Sequence, residues 1–160
     1  MTMSWSNGRQ FDSLTKNGNT VNYTYDTNGM RLSKTVDGVE YTYLYENGLL
    51  VQETRGSKVF DYSYDANGRL AMLRYQAGPT SSIYYFYYAL NSRGDVIGLY
   101  NSSGDLTAKY TYDVWGNVLS VTNSSGEAVS DGNIAKQQPF RYRSYYYDTE
   151  SNFYYLQSRF

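Results

Sequence analysis

The sequence predicts an all-β fold, an antiparallel β-hairpin meander, and three observations predict it. Glycines recur at a regular step: Gly8, Gly18, Gly29, Gly38, Gly48, Gly56, Gly68 and Gly78 follow one another about ten residues apart. That step holds one strand and one turn. Between the glycines, aromatic and β-branched residues alternate with polar ones, the pattern of half-buried strands. The third observation is tyrosine, with 21 in a chain of 160 residues. A tyrosine ring packs while its hydroxyl stays wet or bonded, which suits a sheet with one covered face.

In chain order, Asn7-Gly8 and Asn17-Gly18 open the series as turns. Val21, Tyr23 and Tyr25 then alternate with Asn22, Thr24 and Asp26. Asp26-Thr27-Asn28-Gly29 ends that strand as a type I turn. The Asp oxygen bonds the backbone ahead, and Gly takes the left-handed conformation of a bulge. Val36-Asp37-Gly38-Val39 and Glu46-Asn47-Gly48-Leu49 have the form of two-residue type I′ turns, and Val39, Tyr41, Tyr43 and Tyr45 alternate between them. Phe60, Tyr62 and Tyr64 lead into a second four-residue turn, Asp65-Ala66-Asn67-Gly68. The same form returns at Asn91–Gly94, Asn101–Gly104, Asp113–Gly116 and Asn123–Gly126, with Leu106, Ala108, Tyr110 and Tyr112 as a strand among them. The polar stretch from Ser130 to Gln138, followed by Pro139, holds at most a single helical turn. Pro139 to Asp148 departs from the ten-residue step and is expected to be a terminal or capping element of the array. Phe153 to Phe160 has the pattern of a strand still running, so an excised piece of a longer protein is expected.

Composition excludes several chemistries. With no Cys and no His there is no disulfide, no thiolate nucleophile, no Ser-His-Asp triad and no imidazole metal ligand. Lys+Arg 14 against Asp+Glu 15 gives a net charge of -1, which argues against a grip on nucleic acid or acidic lipid. The apolar run Ile83 to Leu90 is too short and too rich in tyrosine to span a bilayer. Met1 to Trp5 has neither the basic start nor the apolar core of a signal peptide.

Three stretches carry a resemblance: Tyr25-Asp26-Thr27-Asn28-Gly29-Met30-Arg31-Leu32, Tyr64-Asp65-Ala66-Asn67-Gly68-Arg69-Leu70 and Tyr112-Asp113-Val114-Trp115-Gly116-Asn117-Val118-Leu119. They resemble the repeat of the YD-repeat or Rhs-repeat family, which includes bacterial wall-associated proteins, Rhs toxins, insecticidal toxin-complex C subunits and animal teneurins. Trp5-Ser6-Asn7-Gly8-Arg9 is similar to a repeat joined partway through. Arg93–Leu99, Tyr112–Leu119 and the run from Pro139 to Phe160 resemble the Rhs-associated core, which in the family precedes a variable C-terminal cargo. The resemblance implies YD-repeat hairpins over 1–90 and a core-like segment over 91–160, continuous with the same sheet. It implies a curved sheet fragment of a larger spiral β-shell, a structural wall that encloses or presents a C-terminal toxin or cargo domain in a secreted or cell-surface bacterial protein. The chain stops before the Asp-Pro-Gly-rich segment that supports self-cleavage in toxin members, so no cleavage residues carry over.

Weighed residue by residue, the candidate sites are structural. The repeat motif residues Tyr25, Asp26, Gly29, Tyr64, Asp65, Gly68, Tyr112, Asp113 and Gly116 are explained by strand and turn geometry, without a metal, a cofactor or a catalytic role. Asp61, Asp65, Asp105 and Asp113 are formal candidates for a carboxylate-pair glycosidase and nothing more. Arg93-Gly94-Asp95 matches an adhesion tripeptide but already fits a turn. Arg141 and Arg143 around Tyr142 are expected to stack within the fold rather than hold single-stranded nucleic acid. The alternative function is a cell-wall carbohydrate-binding module that uses exposed tyrosines. Exposed strand edges and an incompletely covered aromatic face predict self-association of the fragment.

Overall fold

The computed structural model describes residues 1–6, 10–16 and 18–156. Asn7, Gly8, Arg9, Asn17 and the run Gln157-Ser158-Arg159-Phe160 lie outside the described residues, so the first turns and the terminal strand expectation are addressed only by their flanks.

Twelve strands form one antiparallel sheet in strict sequence order. They are β1 (Thr2–Ser6), β2 (Gln10–Lys16), β3 (Asn19–Tyr25), β4 (Arg31–Val36), β5 (Val39–Glu46), β6 (Leu49–Arg55), β7 (Lys58–Tyr64), β8 (Leu70–Gln76), β9 (Ile83–Leu90), β10 (Val96–Asn101), β11 (Leu106–Tyr112) and β12 (Val118–Thr122). The predicted meander is thus present, and it crosses the 90/91 boundary through the β9–β10 pair. It is open, with β1 and β12 at its two edges.

The turns explain the register. Asp37 and Gly38 both have positive φ, as do Asn47 and Gly48, so both loops are type I′ and close the Val36–Val39 and Glu46–Leu49 pairs. The six four-residue turns share one hydrogen-bond set. At the first, Asp26 Oδ1 accepts the N–H groups of Asn28 and Met30, both at 2.8 Å, and the Gly29 N–H reaches the Asp26 carbonyl at 3.1 Å. The glycine φ values in this class lie between 75° and 90°.

Residues 129–156 fold back over one face of the sheet. They contain a single turn of helix, α1 (Ile134–Gln137), a 3-10 turn at Tyr142–Ser144, and a small hairpin of β13 (Tyr146–Asp148) and β14 (Phe153–Tyr155). The main core lies between this block and the sheet. Tyr43, Phe60, Tyr62, Leu73, Leu99 and Tyr110 meet Val129, Ala135, Phe140 and Tyr146 there. A smaller cluster of Leu14, Val21 and Tyr23 lies under the N-terminal hairpins. The other face carries cross-strand hydroxyl pairs, Ser4–Ser13, Thr24–Ser33, Thr42–Thr54 and Thr111–Ser120, which tolerate water.

Candidate functional site

Each tyrosine of the three motifs makes one kind of bond. The hydroxyl of Tyr25 donates to the Phe11 carbonyl at 3.0 Å, that of Tyr64 to Leu50 at 2.7 Å, and that of Tyr112 to Val96 at 2.6 Å. In every case the acceptor lies at the start of the preceding strand, and the tyrosine sits at a register shift just before its turn. The Tyr-Asp pair therefore has two jobs. Tyr ties its strand end to the strand before, and Asp closes the turn ahead. The Asn117 amide and neighbouring N–H groups hold the Asp113 carboxyl below its ordinary range, as expected of a turn acceptor.

The block that covers the tyrosine face is held by groups the sequence reading did not single out. Asp148 receives a two-pronged ion pair from Arg31, at 2.9 and 2.8 Å, and a third contact from Lys34 at 2.8 Å. Burial pushes the Asp148 carboxyl up, but the Arg31 and Lys34 charges outweigh it and hold the group below the usual carboxylate range. The Arg31 guanidinium lies between the rings of Tyr23 and Tyr155, at 4.6 and 4.1 Å from their centroids. Glu53, fully buried, accepts from Arg55 at 2.7 Å, Tyr146 at 2.7 Å and Tyr62 at 3.1 Å. Gln138 is buried and bonded at both ends, to Tyr88, Tyr110 and the Phe140 backbone. Edge-to-face contacts of Tyr62 with Phe140 (4.8 Å) and Tyr43 with Tyr146 (5.7 Å) add about 0.5–1.5 kcal/mol each beyond buried area. A signal for the ion cluster existed: Lys34 pairs with Tyr23, and Glu53 with Tyr43 and Phe60, so both charges stand at core-facing register positions.

Two adjacent tyrosines report the shape of the sheet. Tyr155 Oη accepts the Arg31 N–H at 2.9 Å beside the β3–β4 turn, while Tyr154 Oη donates to the Gly116 carbonyl at 2.8 Å in the β11–β12 turn. β4 and β11 are seven strands apart, roughly 34 Å in a flat sheet. Two neighbouring tyrosines span at most ~20 Å between such partners. The sheet must therefore curl around the C-terminal block, and the tyrosine face is its concave side.

The remaining candidate residues do not converge on a site. Asp61 pairs with Arg74 at 2.6 Å, Asp65 and Asp113 close turns, and Asp105 is bonded to Asn101, so the four carboxylates are spread over separate strands and turns. Asp95 of the Arg-Gly-Asp tripeptide is buried and accepts from Asn91 and the Arg143 N–H. Arg141 lies over Tyr110, and Arg143 over Tyr142. Among the described residues no group of three His, Cys, Asp or Glu is placed to hold a metal ion.

The family model described as the teneurin YD-shell matches residues 9–153. The chain belongs to the teneurin YD-shell family. Its sheet is accordingly a piece of YD/Rhs-repeat shell. It is 34% identical to the tRNA3(Ser)-specific nuclease WapA of Bacillus spizizenii and 32% identical to the tRNA nuclease WapA of Bacillus subtilis. Each alignment takes in 99% of this chain but only 6% of the relative, so the YD-shell segment spans a small fraction of their length. The crystal structure of TcdB2-TccC3-TEV contains a similar fold, with a TM-score of 0.67 at 15% identity over 97% of this chain and 8% of that one. That of TcdB2-TccC3 gives a TM-score of 0.63 at 11% identity, with the same coverage.

Proposed function

We propose that this YD-shell segment is a structural section of shell wall in a secreted or surface-displayed bacterial toxin protein, which encloses or presents a C-terminal cargo domain. The observation that carries the reading is the curl. The sheet turns its bonded tyrosine face inward around the chain's own C-terminal block, and Tyr155 and Tyr154 bridge the start of β4 and the turn after β11, seven strands away. A wall of this kind works by geometry and rigidity. No turnover is assigned to it, and the nuclease names of the WapA relatives describe proteins of which it matches only a small part.

The test uses the full-length parent protein. Limited proteolysis of the polypeptide downstream of Phe160 should be slow in the intact protein and faster after Asp148→Asn, which loosens the block. Equal cleavage of that polypeptide in the intact protein and in isolation removes the container reading.

A second reading has its own observation. Tyr85, Tyr87 and Tyr100 are exposed on the convex face, where Tyr87 and Tyr100 are cross-strand neighbours. Rings so placed can stack on sugars. Saturable binding to peptidoglycan or glucan, lost on Tyr87→Ala, would establish a carbohydrate-binding role, and no binding to either would remove it.

A further inference from the structure

One buried charge has no opposite. Arg31, Lys34, Glu53, Asp95 and Asp148 are buried, and each belongs to an ion pair. Arg141 is as buried, at 3% exposure, but its guanidinium meets main-chain carbonyls: those of Gln138, Phe140, Ala135 and Lys136. Carbonyl dipoles satisfy its N–H groups and bring no net charge. A buried ion is costly unless a counter-charge accompanies it.

Arg141 lines a cavity of about 990 Å³ between the β5–β7 region and the C-terminal block. Lys58 lines the same cavity, and its Nζ donates to the neutral Gln137 Oε1 at 3.0 Å. Among the described residues neither cation lies in an ion pair. The other cations of the wall are matched, Lys34 by Asp148 and Glu150, Arg55 by Glu53, and Lys136 by Asp131. The wall thus carries two unmatched positive charges, one fixed and buried, one on a flexible stem that can reach a ligand.

We propose that this cavity binds a dianionic oxyanion of the phosphate class, either free phosphate or a phosphomonoester. Two unmatched cations call for close to two negative charges, which a phosphoryl group carries on one centre and a single carboxylate does not. Lys58 donates to the oxyanion directly. Arg141, its N–H groups held by carbonyls, acts through its field. The cavity has room for the organic part of a monoester beside the phosphoryl group.

Isothermal titration of the full chain with inorganic phosphate and with glycerol 3-phosphate, at matched ionic strength in chloride, tests this. Saturable 1:1 binding of one or both is expected, and the tighter of the two identifies the source. Lys58→Gln should weaken it by roughly tenfold or more, the loss of one charge-assisted hydrogen bond. Arg141→Met leaves four carbonyls without their donor and disturbs the fold, so Lys58→Gln is the deciding variant, checked for an unchanged melting temperature without ligand. Lys109→Gln, on the exposed side of β11, should leave the affinity as it was. No saturable binding, equal affinity in the wild type and Lys58→Gln, or equal weakening by Lys109→Gln overturns the proposal.

Discussion

Gly116 meets two demands at once. Its φ is 90°, and a Cβ built there would lie 2.6 Å from the Tyr142 ring. Gly116→Ala should therefore combine backbone strain of about 1–3 kcal/mol with displacement of the ring that seats the 3-10 turn, measured as a lower urea midpoint. Tyr64→Phe is a milder change. It removes the bond to the Leu50 carbonyl and should lower stability by about 1 kcal/mol without altering the fold. Tyrosine ionisation gives a pH prediction. Burial pushes the phenols of Tyr43, Tyr62, Tyr88 and Tyr146 well above their ordinary value. A raised folded pKa means that the stabilisation is whole below the unfolded value, about 10, and is lost as pH rises toward the folded one. Absorbance titration near 295 nm should show these four ionising only together with loss of structure. The turn residues were legible because their chemistry is local: Asp or Asn at the first position and Gly at the fourth specify the geometry wherever they occur. The hydroxyl partners of Tyr25, Tyr64 and Tyr112 were not, since a bond to the preceding strand depends on register that spacing alone does not supply.

Among the elements, the β13–β14 hairpin is set apart by how it is held. The sheet strands are joined by local pairing, whereas this hairpin is fastened through Asp148 to β4, more than a hundred residues away in sequence. Asp148→Asn leaves Arg31 buried without its counter-charge and Lys34 with Glu150 alone, and should cost about 3–5 kcal/mol, read by chemical denaturation. The sign of its pH dependence follows from the lowered pKa. The Asp148 contribution is present above the ordinary carboxylate value of about 3.9 and is lost as pH falls through the lower folded value. The stability gap between wild type and Asp148→Asn should therefore close on acidification below about pH 4. Period-two alternation made β3, β5, β7 and β11 readable. β4 and β6 were harder to read because Lys34 and Glu53 break the apolar rhythm on the covered side, and those breaks turn out to be the anchor points of the C-terminal block. That block was recognisable only as a departure from the ten-residue step. Its short elements carry no periodicity of their own and are defined by what they touch.

Across the whole molecule, the sheet has two edges, β1 and β12, and a convex face with exposed Tyr85 and Tyr87. Among the described residues no strand covers the outer edge of β1, while that of β12 is partly covered where Thr122 pairs with Ala128, and such open edges invite strand pairing between copies. Light scattering across micromolar concentrations should give a mass above that of one chain, and a single-chain mass throughout refutes self-association. Removing residues 139–160 should uncover the concave tyrosines and release the curl, seen as a larger radius of gyration in small-angle scattering. The bridge of Tyr154 and Tyr155 also has a consequence in time. Synthesis delivers β12 some 34 residues before Leu156. At 5–20 residues per second the twelve strands then wait roughly two to seven seconds with their inward face open. Tyr154 and Tyr155, which set the curvature, are made only after all twelve strands, so a ribosome that stalls in this interval leaves an uncurled tyrosine sheet exposed to its neighbours.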